Sequence, residues 1–234
     1  MGVQSLDASA PTSRGARRKS QTRARLLAAA RAIFARDGLE AATIAQITSA
    51  ADVGFGTFYL HFATKEDLYR AVVTDGFGEL AALLDAARAE AATRGAPWWE
   101  PVQDSVRAYC AFAERNRELF QVMFAGGGAG LGLGRELQER FAESLAAQLA
   151  AAATDARTRG QPAPYPYPAQ TVALATVVAL TRTTLWRLTQ ESQASQASQE
   201  HAEVGASLPY DEHVAALGRY LVAALWGQTP YDTH

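Results

Sequence analysis

The chain of 234 residues is 48% hydrophobic and carries a formal net charge of −2. This composition excludes an intrinsically disordered chain and allows one or two domains with a sizeable core. The charge is uneven, because residues 1–70 carry a net charge of +4 and the remainder −6. A basic front on an acidic body favours a module that meets phosphates at one end only.

Three further features bear on the compartment. The single cysteine, Cys110, excludes an internal disulfide and fits a reducing environment, and we expect it to be a small buried apolar residue. The N-terminus lacks the apolar core of a secretory signal. The most apolar run, residues 172–180, is too short to cross a bilayer. We therefore expect a soluble cytoplasmic protein with no membrane partner.

Residues 1–20 are expected to form a disordered basic arm, since they are rich in Ser, Ala, Gly and Arg and show no hydrophobic period. Such an arm either lies along a DNA backbone or in a minor groove, or remains a solvated tail that adds non-specific affinity. From Thr22 onward apolar residues recur at helical spacing, which predicts helix 1. Gly38 is a natural end for this helix.

Residues 43–65 predict two short helices joined by a tight turn and followed by the start of a third. Thr43 and Gln46 have the spacing of a capping box, and residues 51–53 fit the turn. Phe58 and Phe62, four residues apart, share one inward face of the second helix. This pattern is typical of a helix-turn-helix whose second helix can enter a major groove.

The rest of the chain predicts only helices, so the fold class is all-α. Helical periods cover the residues 64–93, 98–116, 118–124, 135–159, 169–189 and 211–226. We expect flexible connections at the glycine-rich residues 125–134 and in the low-complexity linker 190–207. The glycines lack the preceding strand and the Lys-Ser/Thr pair of a phosphate-binding loop. The predicted organisation is an arm (1–20), a helix-turn-helix domain (21–66) and a second helical domain (67–229).

The string Gly56-Thr57-Phe58-Tyr59-x-His61-Phe62, followed by Lys65-Glu66-x-Leu68, resembles the DNA-binding domain of the tetracycline-repressor (TetR) family of bacterial transcription regulators. The resemblance covers roughly residues 22–73, and the segment ELFQVMF at residues 118–124 is also similar. It implies a homodimer that binds double-stranded DNA at a near-palindromic operator. It also implies a small-molecule effector that lowers the affinity for DNA.

The resemblance further implies which residues face DNA: Thr43, Phe55, Gly56, Thr57, Tyr59, His61 and Lys65, with Arg18 and Arg23 from the basic segment. Gly56 would let the backbone approach DNA, whereas Thr57 would contact a base or a phosphate. Tyr59 and His61 would donate to phosphates, and Lys65 would clamp one. Capping alone would explain Thr43.

Three positions depart from the family pattern. Asp52 stands where the turn commonly has glycine, and aspartate tolerates a left-handed turn better than most residues. Gly54 and Phe55 replace a serine cap and a polar residue. Phe55 either meets thymine methyls or sugars, or packs on the protein.

In the regulatory half, the resemblance implies an effector site among the C-terminal helices. The candidates are mostly aromatic, and each is more often ordinary core: Trp98, Tyr109, Phe112, Phe120, Met123, Phe124, Phe141 and Trp186. We therefore expect an apolar or aromatic effector. Gly76 and Gly78 are expected to give the long helix a bend point.

The last two helices are more apolar than one packing partner needs, which favours a four-helix bundle across a two-fold axis. The alternative is that they complete a monomeric core. The expected interface residues are Val178, Leu185, Leu217, Leu221 and Leu225.

Other functional classes find little support. The sequence shows no nucleophile–base pair, paired carboxylates or cofactor fingerprint, so we expect no enzyme and no cofactor. His61 has no Cys or His partner at ligand spacing, so we expect no metal. The remaining alternatives are a DNA-binding or architectural protein without an effector, and an activator.

Overall fold

The computed structural model describes residues 14–95, 100–124, 129–158, 160, 168–199 and 209–226. Within these residues every regular element is a helix, which confirms the all-α class. The helices are α1 (Arg14–Ala41), α2 (Ile44–Ala50), α3 (Phe55–Phe58), α4 (Lys65–Thr93), α5 (Glu100–Arg115), α6 (Arg117–Phe124), α7 (Ala129–Thr158), α8 (Ala169–Gln199) and α9 (Tyr210–Trp226).

The N-terminal domain has a small apolar core formed by α1, α2 and α3. Leu26 and Ala30 of α1, Ile47 of α2 and Phe58 of α3 are fully buried. Phe62, just after α3, is also buried and lies with its ring centroid 6.0 Å from that of Phe58. This packing fixes α3 against the rest of the domain.

Helix α1 begins earlier than we expected, because it starts at Arg14 and not near Thr22. The disordered arm predicted for residues 1–20 is therefore wrong for residues 14–20, and residues 1–13 lie outside the described part. Residues 14–20 are all exposed, so no apolar period marks them. Arg, Ala, Lys and Gln are good helix formers and carry the helix into solvent.

At the other end of α1, Gly38 has φ 76° and ψ 171°, which breaks the regular helix where the sequence predicted its end. A left-handed φ of this kind is strained for residues other than glycine. The chain then turns towards α2.

The long helix α4 belongs to both halves of the molecule. Thr64 and Asp67 form the predicted capping box at its start. Further along, the Tyr69 hydroxyl donates to the Val122 carbonyl of α6 at 2.9 Å, and the contact is buried. Its first turns thus border the N-terminal domain, while later turns pack on α6 and α5.

The two glycines of α4 have different environments. A Cβ at Gly76 would lie 2.6 Å from the Met123 Sδ and 2.9 Å from the Leu119 Cδ1, so glycine is needed for the close approach of α4 and α6. A Cβ at Gly78 would meet nothing within 4 Å. We expected the two glycines to form one bend point together. In the structure only Gly76 packs closely against α6, whereas Gly78 has no neighbour there.

Two segments expected to be flexible connections contain helix. Helix α7 begins at Ala129, inside the glycine-rich segment, and α8 continues to Gln199 through the predicted linker. Glycine costs only about 1 kcal/mol relative to alanine in a helix, and Gln, Ala and Glu favour helix. Low complexity alone therefore does not end a helix. Residues 125–128 and 200–207 lie outside the described part.

The C-terminal body is built around α5 and α6, with α9 packed on α5 and α7 packed on α8. A second apolar cluster between α7 and α8 includes Leu149, Ala153 and Val172. Among the described helices, none combines the length and the apolar character that a membrane span requires.

Candidate nucleic-acid interface

The start of α2 is fixed by the predicted capping box. The Thr43 Oγ1 accepts from the Gln46 amide at 3.2 Å, and the Gln46 Oε1 accepts from the Thr43 amide at 2.8 Å. The Thr43 hydroxyl also donates to the same Gln46 oxygen at 2.7 Å. Capping therefore uses both the oxygen and the proton of this hydroxyl. A phosphate contact by Thr43 stays a prediction.

The turn between α2 and α3 depends on Asp52, the residue that replaces the usual glycine. Asp52 has φ 49°, the positive value that the sequence led us to expect at this turn. The Arg25 guanidinium of α1 donates to its backbone carbonyl at 2.6 Å and to its carboxylate at 2.8 Å. The basic helix α1 and the turn are therefore linked by a bidentate contact that sequence analysis did not predict.

An exposed apolar and aromatic surface lies on and just after α3. Phe55 is 54% exposed, Tyr59 52% and Leu60 72%, whereas Phe58 and Phe62 are buried as predicted. The Phe55 and Tyr59 rings meet edge to face with centroids 5.7 Å apart. Phe55 thus packs against Tyr59 of the same protein while about half of its surface stays exposed, and its contact with DNA stays a prediction.

Leu60 is a member of this surface that sequence reasoning missed. It sits two residues after the buried Phe58, so helical spacing places it on a different face. This spacing would have allowed the exposure of Leu60 to be predicted from the sequence. Gly56 is exposed beside it and Thr57 is half-buried.

His61 lies at the edge of this surface and is half-buried. Burial, followed by the nearby positive charges of Lys19 and Arg23, lowers the pKa of His61 below its ordinary 6.5. The imidazole is therefore neutral at pH 7 in the free protein. Arg23 itself lies over the Phe62 ring at 5.4 Å and 3.7 Å from the Asp75 carboxylate, so it is held beside α4.

Lys65 has a structural contact that the sequence did not predict. Its Nζ donates to the Glu40 carbonyl at 3.1 Å and to the Ala42 carbonyl at 2.8 Å, where α1 ends. A lysine at the end of a helix can satisfy such carbonyls, although this one comes from 25 residues away. Two of its three N–H groups are used in this way. Its phosphate contact stays a prediction.

The front of α1 supplies positive charge to the same end of the molecule. Four exposed cations follow one another there, and within the described residues none of them pairs with a carboxylate: Arg14, Arg17, Arg18 and Lys19. Unpaired exposed cations of this kind favour contact with a polyanion.

The comparison with known families agrees with this geometry. Residues 26–72 match the family model described as "Bacterial regulatory proteins, tetR family". The chain carries the N-terminal domain of the TetR family. For this domain, the match implies DNA binding. The match spans α1 after its exposed start, α2, α3 and the first turns of α4.

Solved structures share the fold over nearly the whole chain. "Fatty acid degradation regulator FadR" from Bacillus halodurans is 15% identical with a TM-score of 0.67, and the match covers 86% of this chain and 94% of that one. A putative TetR-family regulator from Syntrophomonas wolfei is 15% identical, with a TM-score of 0.65 and coverage of 91% and 99%. A tetR-family regulatory protein from Rhodococcus RHA1 is 19% identical, with a TM-score of 0.62 and coverage of 87% and 96%. None of the curated proteins matches this chain.

In the C-terminal body, most of the predicted effector-site residues lie in the apolar core. Tyr109, Phe112, Phe120 and Met123 are buried. The Tyr109 ring meets Phe120 edge to face at 5.6 Å, and its hydroxyl lies 2.8 Å from that of Thr181. These contacts are typical of packed interior, in agreement with the ordinary-core interpretation.

The other predicted effector-site residues differ from these. Phe124 and Phe141 are half-buried, and Trp98 lies outside the described residues. Trp186 is 53% exposed on α8, outside the core.

Cys110 is buried as expected, and burial raises the pKa of its thiol.

A partly buried ionic cluster ties α5, α6 and α8 together. Arg187, only 3% exposed, pairs with Glu114 and Glu191, and Arg117 pairs with the same two carboxylates. Burial acts to raise the pKa of Glu191, but hydrogen bonds and positive charge from the two arginines outweigh it. The pKa of Glu191 therefore lies below its ordinary value.

The residues predicted for the dimer interface divide into two groups. Leu217 and Leu221 are already buried in the protomer, so they offer little apolar surface to a partner. Val178 is exposed and Leu185 is half-buried, while the Leu225 side chain lies outside the described part. Among the described side chains of α8 and α9, the large apolar ones that remain exposed are Leu174, Val178, Trp186 and Tyr220.

Proposed function

We propose that this TetR-family protein is a repressor that binds a near-palindromic operator as a homodimer in the cytoplasm. We further propose that a small effector with apolar or aromatic parts releases it. The observation that carries the proposal is the exposed surface of Phe55, Tyr59 and Leu60 on a rigid helix-turn-helix, next to the unpaired cations of α1. Exposed aromatic side chains on a soluble domain are typical of a binding surface.

In this proposal α3 enters the major groove. Phe55 and Leu60 meet thymine methyl groups or sugars, and the Thr57 hydroxyl reaches a base or a phosphate. The Tyr59 hydroxyl and the His61 imidazole donate to phosphates at the groove edges. Arg18 and the neighbouring cations of α1 follow the backbone and supply affinity that does not depend on sequence.

A two-fold dimer would place two α3 helices about 34 Å apart, one turn of the duplex. The exposed apolar row on α8, from Leu174 and Val178 to Trp186, supports an interface on this helix. Tyr220 and the small residues around it on α9 offer a second, flatter surface. Together they would form the proposed four-helix bundle.

Release by an effector requires a connection between the body and α3. Helix α6 contacts α1 and α4, and the buried bond from Tyr69 to Val122 joins α4 to it. A coupling free energy of about 1–3 kcal/mol would change operator affinity about 5–150-fold. A shift of α6 would therefore be transmitted to the N-terminal domain through named contacts.

The test is selection of binding sites from a random DNA library with the purified full chain, followed by footprinting. We expect two inverted half-sites whose centres lie about one helical turn apart or a multiple of it. Selected DNA without a repeated half-site would contradict the dimeric mode. No enrichment at physiological salt would contradict specific DNA binding. Transcription from the selected site, measured with and without the protein, distinguishes a repressor from an activator.

A further inference from the structure

An open cleft lies where the N-terminal domain meets the C-terminal body. It has a volume of about 500 Å³. One wall is the end of α1, with Phe34, Ala35 and Leu39, and the opposite wall is α8. Tyr69 of α4 and Val122 of α6 close its floor. The cleft is thus formed by both halves of the molecule, unlike a pocket inside the C-terminal helices.

The lining of the cleft is apolar with one positive end. Leu185 and Trp186 of α8 face it together with the apolar residues of α1, and Arg182 lies one turn before Trp186. Among the described residues Arg182 has no hydrogen-bond or ionic partner. Gln121 and Thr189 add hydrogen-bonding groups at the lining.

We propose that this interdomain cleft binds a small amphipathic anion, whose apolar part lies between α1 and α8 and whose acidic group pairs with Arg182. A volume of this size holds a small organic ligand. An arginine fork binds a carboxylate or sulfonate through two parallel hydrogen bonds. A neutral apolar molecule of the same length would leave that guanidinium unpaired.

The position of the cleft gives the ligand an effect on DNA. A molecule between α1 and α8 changes the spacing of two helices that belong to different domains, and α1 carries the Arg25 contact to the helix-turn-helix turn. Binding of the anion does not depend on the proposed function. Its effect on operator affinity does rest on the proposed function. By linkage, DNA and the anion would each weaken the binding of the other.

The competing occupant is a second copy of the chain, because Arg182 and Trp186 also lie in the exposed row of α8. A partner helix would cover this row whatever anion is present. The partner helix of the proposed dimer packs on the outside of α8, whereas we place the anion in the inner part of the cleft, which extends to Tyr69 and Val122. An unpaired cation at its lining also complements an acidic group.

The experiment uses the full chain and 1-anilinonaphthalene-8-sulfonate, an aromatic anion whose fluorescence rises in apolar surroundings. Decanoate, decanol and decylamine then compete with it. The variants are Arg182→Gln, which removes the charge, and Thr189→Trp, which narrows the cleft from an exposed position. Arg140→Gln, an exposed arginine on α7, is the matched control. Circular-dichroism melting verifies that each variant is folded.

We expect decanoate to displace the probe at least tenfold better than decanol or decylamine. Arg182→Gln should remove that preference and leave decanol unaffected, Thr189→Trp should weaken both, and Arg140→Gln should match the wild type. Equal displacement by decanoate and decanol, or no effect of Arg182→Gln, would overturn the proposal. So would a cleft that takes up no probe because the dimer covers it.

A parallel titration with operator DNA separates the two proposals. Decanoate that binds in the Arg182-dependent manner and lowers operator affinity supports both the site and its coupling. Decanoate that binds without changing operator affinity supports the site and contradicts effector control through it. Normal operator binding with no anion in the cleft overturns the site and leaves the proposed DNA function standing.

Discussion

Arg25 and Asp52 are joined across 27 residues of sequence by two hydrogen bonds at the turn of the helix-turn-helix. One guanidinium nitrogen, Nη2, donates to both the backbone carbonyl and the carboxylate of Asp52, the left-handed residue. The contact therefore joins a side chain that could have bound DNA to the segment that orients α3. It also gives Asp52 a role that the usual glycine could fill only in part.

This relationship predicts a graded response to substitution of Asp52. Asp52→Ala should lower the free energy of unfolding by about 1 kcal/mol because alanine tolerates a positive φ less well than aspartate. The exposed ion pair adds no more than a further 0.2–1 kcal/mol. Asp52→Gly should be close to neutral. Urea denaturation followed by circular dichroism measures all three proteins, and an alanine variant as stable as the glycine variant would contradict the argument.

The contacts of Lys65 predict that its substitution affects the stability of the fold and the affinity for DNA in different ways. Lys65→Met keeps the apolar stem but removes the bonds to the Glu40 and Ala42 carbonyls, so we expect a loss of about 1–2 kcal/mol in unfolding free energy. If the third N–H also meets a phosphate, the slope of log affinity against log salt falls by about 0.9.

Fluorescence anisotropy at several salt concentrations measures that slope. Arg88→Met, at a half-buried position of α4 far along the helix from α3, where the side chain pairs with Asp85, is the control for removing a cation from this helix. A stable Lys65→Met protein with a reduced slope would show that the phosphate is its main partner. A destabilised protein with an unchanged slope would assign Lys65 to the α1 end alone.

Contacts between residues close in the sequence could be predicted, whereas contacts between residues far apart in the sequence could not. The capping boxes of Thr43 with Gln46 and of Thr64 with Asp67 span three residues, and both were readable. The burial of Phe58 and Phe62 followed from helical spacing. The contacts of Arg25 and Lys65 cross 27 and 25 residues, and no local pattern encodes them.

The remaining differences arise from features that carry no periodic signal. The exposed start of α1 and the end of α8 are polar in sequence, which hydrophobic patterning cannot distinguish from a linker. Trp186 was assigned by residue type to a pocket among the C-terminal helices, whereas it lines the cleft between α1 and α8. That arrangement is a property of the tertiary structure.

His61 predicts a pH dependence of DNA affinity. In the free protein burial and the cations Lys19 and Arg23 keep its pKa below 6.5. A phosphate beside the imidazole would raise the pKa, so binding takes up a proton. Affinity should therefore increase as pH falls from 8 towards 6, by up to about tenfold for each unit by which DNA raises the pKa.

The measurement is operator anisotropy between pH 6 and pH 8 at constant ionic strength. His61→Gln keeps a hydrogen-bond donor but cannot titrate, so its affinity should change less with pH. The sign can be checked independently of DNA: a depressed histidine pKa makes the folded protein less stable as pH falls below 6.5, and the glutamine variant should lose that part of the acid sensitivity. An identical pH profile for both proteins would exclude His61 from the interface.

Gly76 and Gly78 predict opposite effects of the same substitution. Gly76→Ala places a Cβ against Met123 and Leu119 at the contact between α4 and α6, so we expect a loss of about 1–3 kcal/mol. Gly78→Ala meets no neighbour and should stabilise the helix by about 0.5–1 kcal/mol. Thermal melting of the two variants compares them directly, and equal effects would show that α4 and α6 do not approach closely.

The exposed row of α8 predicts the effect of charge on the proposed dimer. Val178→Glu places a carboxylate in the row of Leu174 and Trp186, where a packed partner helix would bury it, so the dimer should dissociate. Ala147→Glu makes the same charge change at an exposed position of α7, outside this row, and serves as the control.

Analytical ultracentrifugation should find the wild type and Ala147→Glu as dimers and Val178→Glu as a folded monomer. Because Val178 is 42% exposed in the protomer, the substitution removes little of its own core, and circular dichroism should change little. The monomer should also bind the selected operator at least tenfold more weakly, since each half-site then acts alone. A dimeric Val178→Glu protein would place the interface on another surface, and a monomeric wild type would exclude the two-fold arrangement on which the operator spacing depends.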